Sequence, residues 1–263
     1  MSQAVRILII VAAFGCYYFL FTYFDVIKAS LDSILKLGLL SYIVTYFVVG
    51  NPMFLATRAF NPGWNALKSL GLGTDFWKGA GFALLFALPM LLGGYFFFNF
   101  KPIENWENLV GKTACAGFFE ELYFRGFLFG LLFRNTRLGF MPSVVFAALL
   151  FASGHLWQSN DLMESVGIFG VTFMGGVLFA WLFAEWNFNL WLPVFLHAFM
   201  NLAWELFAMD ETALGGMYAN IFRGLTIALA IIFTLRYKKH RHLSLEINRR
   251  TLWFRKKAVL VTS

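Results

Sequence analysis

The chain has 263 residues, of which 60% are hydrophobic, 20% aromatic and only 13% charged, with a formal net charge of +7. Such a composition excludes an ordinary soluble domain, and the clustering of basic residues in one tail gives no basic face for nucleic acid. Hydrocarbon requires every backbone N–H and C=O to be paired within the protein, and unbroken apolar runs without alternation predict helices rather than barrel strands, hence an all-α polytopic membrane bundle.

In chain order, the first run is Ile7 to Phe24. It follows a single charge, Arg6, and has no small-residue cleavage site before Asp25, so it reads as a retained helix rather than a signal peptide. The second run is Leu37 to Leu55. Arg58 to Lys78 then mixes Pro62, Gly63, Trp64, Phe76 and Trp77 with cations, the pattern of a short helix and loops at the membrane interface. Six more runs follow: Gly79 to Phe98, Leu109 to Phe133, Phe140 to Leu156, Val166 to Phe183, Leu190 to Met209 and Ile221 to Leu235. The predicted total is about eight spans, each of the roughly 20 residues that a bilayer needs. The organisation expected is N-terminal membrane helices and an interfacial segment over 1–106, a four-helix core over 107–209, and a last helix with a basic tail over 210–263.

The charges between runs set an expected orientation. With both termini cytoplasmic, Arg6, Arg58, Lys68, Lys78, Arg134, Arg137 and the tail lie inside, while Lys28, Lys36, Lys101, Lys112 and Arg223 lie outside, as the positive-inside rule requires. The tail from Arg236 to Lys257 is interrupted by Trp253 and Phe254, which suits a segment lying on anionic lipid headgroups; the plainer alternative is a solvated tail that only fixes topology. Cys16 and Cys115 fall inside apolar runs, where a disulfide framework has no role.

A charge near the bilayer centre costs a few kcal/mol or more, so each needs a partner or a function. The candidates are Glu120, Glu121 and Arg125 on the fourth run, His155 on the fifth, and His197 with Asn201 on the seventh. Glu121 and Arg125 are one helical turn apart in the favourable order for an ion pair, which is a structural role. Glu120 is rotated by about 100° from Glu121, so Arg125 cannot serve both equally. His197 and Asn201 share a helix face, and a single membrane histidine would be merely an interhelical hydrogen-bond partner. Two histidines, a spare glutamate and an asparagine on adjacent helices point instead to a site.

Glu120-Glu121-Leu122-Tyr123-Phe124-Arg125 reads EExxxR, Phe151 to His155 reads FxxxH, and His197 to Asn201 reads HxxxN. Together, and in this order, they resemble the motifs of the type II CAAX prenyl endopeptidases and bacteriocin-processing enzymes, a family of intramembrane proteases; the resemblance runs from about Thr113 to Trp204. It implies Glu120 as the base that activates water, His155 as the group that orients that water or shares its proton, and His197 with Asn201 as hydrogen-bond donors to the developing oxyanion. Glu121 and Arg125 would support the cavity. The implied partners are a membrane-associated peptide or protein substrate and the lipid bilayer, with no cofactor.

Other chemistries are weighed against this. One Glu and two His could ligate Zn2+ in a metalloprotease, although no H-E-x-x-H is present. Cys115 or Ser153 could act as a nucleophile, but neither has an obvious orienting group, and a small residue in a tight helix interface is the simpler role. Gly126 and Gly130 form a G-x-x-x-G that would let a neighbouring helix approach. A non-catalytic immunity or scaffold protein with the same motifs is the competing class. A transporter is disfavoured, since the first three runs hold almost no buried charge.

Overall fold

The computed structural model describes residues 1–60 and 65–255; Pro62, Gly63 and Trp64 of the expected interfacial segment and Lys257 of the tail lie outside them. Among the described residues the fold is helical with no strand. In chain order the elements are α1 (Gln3–Phe21), α2 (Phe24–Leu35), α3 (Gly38–Phe60), α4 (Asn65–Ser69), α5 (Phe76–Phe97), α6 (106–135), α7 (Phe140–Ser153), α8 (Leu162–Glu185), α9 (Trp191–Leu206) and α10 (Met217–His240). Polar caps mark several starts. The side chains of Ser2, Asp75, Asn105 and Asp161 accept hydrogen bonds from the backbone N–H groups of Val5, Lys78, Asn108 and Glu164, which otherwise have no partner in a first turn.

Among the described residues, six helical stretches are long and apolar enough to cross a membrane: Gln3–Phe21, Gly38–Phe60, Phe76–Phe97, Phe140–Gln158, Leu162–Glu185 and Met217–His240. The expected eight are therefore not all matched on these criteria. The run Leu109 to Phe133 falls on α6, which is broken into alternating α and π turns and carries the charged motif; Leu190 to Met209 shrinks to the 16 residues of α9. The sequence reading also missed α2, a 12-residue helix that starts three residues after α1 and closes on Lys36 in the left-handed conformation.

Burial explains the packing. An aromatic-rich core joins α1, α3, α6 and α7, with Phe14, Tyr46, Phe119, Tyr123 and Phe151 in or beside one cluster. Tyr46 stacks on Phe119 at 4.4 Å, and the Tyr123 hydroxyl donates to the Tyr46 carbonyl at 2.6 Å, so this buried phenol is satisfied rather than costly. A second cluster, around Phe86, Trp186, Leu192 and Leu196, seats α9 against α5 and α10.

At the end where α1 begins, Arg6 reaches the Asn135 carbonyl at the close of α6, and residues 241–255 fold back on the helices. The tail thus packs against the bundle through part of its backbone, while many of its side chains stay exposed. Its Trp253, Thr251 and Leu252 carbonyls accept from the backbone N–H groups of Gly139, Phe140 and Met141 at the start of α7, and Arg255 stacks on Phe133 at 3.5 Å while bonding Glu246. Glu185, buried at the end of α8, accepts from Lys238 Nζ and from the backbone N–H groups of Glu246 and Ile247. The Gly139, Phe140 and Met141 N–H groups would otherwise be unpaired at the start of α7, and the tail's backbone carbonyls meet that requirement whatever its side chains are. Trp253 and Phe254 do remain exposed. Burial of Arg255 pushes its guanidinium below the usual arginine range.

Candidate active site

Glu120 and Glu121 lie where α6 changes its winding: π-helical turns occupy Gly111–Cys115 and Glu121–Phe129, with one α-helical turn, Ala116–Glu120, between them. Such wide turns shift the register of side chains and recur at functional positions. The helix is brought against α9 at Gly117, where a Cβ would lie 2.9 Å from the Ala198 backbone nitrogen. The absence of a side chain there lets the two backbones meet one turn before the glutamates and next to His197. The G-x-x-x-G of Gly126 and Gly130 serves another contact, facing the Leu70 carbonyl and the Phe183 ring rather than a neighbouring helix backbone.

Glu121 is completely buried. Its Oε1 accepts from Arg125 Nη1 at 2.8 Å and from His197 Nδ1 at 2.8 Å. Arg125, itself 2% exposed, lies over the Phe151 ring at 4.2 Å and the Phe179 ring at 5.4 Å, so its charge is balanced by one carboxylate and two π faces. The bond from Glu121 fixes the proton of His197 on Nδ1 and turns Nε2 the other way, a contact between helices that the spacing of residues along one helix could not reveal.

His197 Nε2 points at Glu120, 3.8 Å from Oε2. That separation is too long for a direct hydrogen bond and leaves room for a shared water. Glu120 Oε2 is buried without a partner, while the side chain keeps 27% of its surface open to a cavity. The cavity has a volume of about 1250 Å3, and its lining includes Glu120, His155, His197 and Asn201 together. Glu121 and Arg125 stand behind the wall. His155 comes from the turn after α7; its Nδ1 is 2.8 Å from the Phe151 carbonyl, which makes that nitrogen the donor and leaves Nε2 free as an acceptor. Asn201 Nδ2 donates to the Lys112 carbonyl in the first π turn at 3.0 Å, one of its two N–H bonds.

The lining also takes in Trp157, Gln158 and Thr212, from the segments after α7 and before α10. Neither Cys115 nor Ser153 lines the cavity; Cys115 is buried in the core and the Ser153 hydroxyl donates to the Leu150 carbonyl. Among the described residues no three His, Cys, Asp or Glu side chains converge closely enough to hold a metal ion. Glu120, His155 and His197 are thus not gathered into such a group here, and no step below runs through a metal.

Residues 102–203 match the family described as Type II CAAX prenyl endopeptidase Rce1-like. The match covers less than half of the chain but takes in all three motifs, so the resemblance read from them holds for this segment. No curated protein and no solved structure matches the chain. With its apolar helices, the chain is a multi-pass integral membrane protein.

Proposed function

We propose that the protein is an intramembrane endopeptidase that hydrolyses a peptide bond of a membrane-associated substrate with water activated by Glu120. The observation that carries this reading is the unpartnered Glu120 carboxylate facing His197 across 3.8 Å, in a cavity that also admits His155 and Asn201. The similarity of residues 102–203 to a protease family supports it.

Water held between the cavity-facing edge of the Glu120 carboxylate and His155 Nε2 would lose its proton to Glu120 as its oxygen attacks the scissile carbonyl carbon. The oxyanion then needs donors already in place. Asn201 offers its second N–H bond, and His197 offers Nε2–H when the ring carries both protons. Glu120 returns its proton to the leaving nitrogen as the tetrahedral intermediate collapses. Glu121 and Arg125 act through His197, holding its ring and its charge in position.

The excess of basic residues in the segments placed inside supports both ends being cytoplasmic. A reporter fused to the C-terminus is expected to be accessible only from the cytoplasm; reaction from outside would invert this assignment. A non-catalytic immunity or scaffold protein is separated by comparing the peptides that accumulate in membranes of cells carrying wild-type or Glu120→Gln protein at equal abundance. The proposal expects an uncleaved precursor only with the variant, and identical peptide patterns would contradict it.

A further inference from the structure

The cations of the tail divide into two sets. Lys238 and Arg255 are buried and spent on the fold, the first on Glu185 and the Ser244 carbonyl, the second on Glu246 and the Phe133 ring. Arg236, Lys239, Arg241, Arg249 and Arg250 are exposed, and among the described residues none of them is in an ion pair. From Arg236 to the end of the chain the sequence holds one acid, Glu246, and Arg255 already occupies it. Arg137, whose carbonyl accepts from the Arg255 N–H, adds another exposed cation beside them. Large apolar side chains lie among these charges: Leu243 and Leu245 are exposed, as are Trp253 at 58% and Phe254 at 68%.

The pinning of the backbone decides where this surface sits. Glu185 closes α8 and holds the N–H groups of Glu246 and Ile247, while the Thr251, Leu252 and Trp253 carbonyls hold the first N–H groups of α7. Both helices belong to stretches long and apolar enough to cross a membrane, so these two ends stand at the bilayer surface. The tail is therefore kept at headgroup depth. A tail hanging free in water would carry its charges beyond the roughly 8–10 Å over which they act at physiological salt. We propose that residues 236–255, together with Arg137, form a docking surface for the anionic phospholipid headgroups of the adjoining leaflet. The exposed cations bind the phosphates, and Trp253 and Phe254 enter the zone between headgroups and acyl chains, where such rings are favoured. An acidic soluble protein would share the charge preference, but at this depth the headgroups are present at far higher local concentration.

The full chain, reconstituted in phosphatidylcholine with a minor share of phosphatidylglycerol of matched acyl chains, tests this. The protein is extracted in mild detergent, and the lipid that co-purifies is measured by mass spectrometry. Phosphatidylglycerol is expected to be enriched at least threefold over its share of the membrane, and the enrichment should fall as salt is raised before extraction. Arg249→Gln with Arg250→Gln, between the two pinned segments, should remove part of it. Adding Arg236→Gln, Lys239→Gln and Arg241→Gln should bring it close to one, with the Gly139, Phe140 and Met141 amides still protected from hydrogen exchange. Lys36→Gln with Lys101→Gln, in loops expected on the other side of the membrane, should leave it unchanged. A solvated tail that only fixes topology gives no enrichment. That result, or enrichment undiminished in both Arg and Lys variants, overturns the proposal. So does a poly-glutamate peptide that binds the wild-type chain and that phosphatidylglycerol fails to displace, which would make the partner an acidic protein.

Discussion

Glu185 and Glu120 are acidic residues on membrane helices of one bundle, one at the end of α8 and the other midway along α6, and they are treated in opposite ways. Glu185 receives an ammonium and two backbone N–H groups, so its burial is matched bond for bond and it ties α8, α10 and the tail together. Glu120 keeps one buried oxygen with no partner and faces a cavity. Leaving a buried polar atom unpaired costs about 1–3 kcal/mol; the unpaired Arg255 nitrogens in the tail line no part of the cavity, whereas Glu120 lines it, where something can bind.

Substitutions sharpen this contrast, and the largest effect falls behind the cavity wall. Arg125→Ala leaves Glu121 buried with His197 alone and is expected to destabilise the protein by about 3–5 kcal/mol, seen as low abundance and a lower Tm in detergent. Unchanged stability would show that Arg125 does not neutralise Glu121. Asn201→Ala should lower kcat by roughly 10²–10³ with little change in Tm, the signature of a lost oxyanion donor; a change confined to KM would move Asn201 out of that role. Beside Glu185, Lys238→Met should lower stability by about 1–3 kcal/mol and leave turnover per folded molecule intact, because Glu185 retains two backbone donors. The smallest effect is expected at the exposed Lys112–Glu205 pair, 3.5 Å apart at the cavity rim, where Glu205→Gln should change stability by less than about 1 kcal/mol.

The cavity was the more legible of the two regions in sequence. Glu120, His155, His197 and Asn201 stand out because charge and amide groups are costly in apolar runs, and the structure brings all four to one cavity. Three features escaped that reading. The π turns around Glu120 depend on how α6 packs along its whole length, and no local residue preference encodes them. The bond from His197 to Glu121 joins helices far apart in the chain, so spacing suggested only the Arg125 partner. The tail clasp was hidden by composition: a basic segment after an apolar helix looks like a membrane anchor, while its hold on the bundle comes from backbone carbonyls and N–H groups that every sequence carries.

The two glutamates provide the most direct measurement. Purified wild-type, Glu120→Gln and Glu185→Gln proteins, reconstituted in liposomes with a peptide that the wild type cleaves, are compared for turnover per folded molecule and for Tm. The account predicts that Glu120→Gln keeps the wild-type Tm and loses turnover by more than the roughly 10²–10³ expected for Asn201→Ala, because the proton acceptor is gone and the shape is kept. Glu185→Gln should lower Tm and turn over normally once folded. Near wild-type cleavage by Glu120→Gln, or lost turnover at unchanged Tm in Glu185→Gln, would contradict the assignment of the chemistry to the cavity.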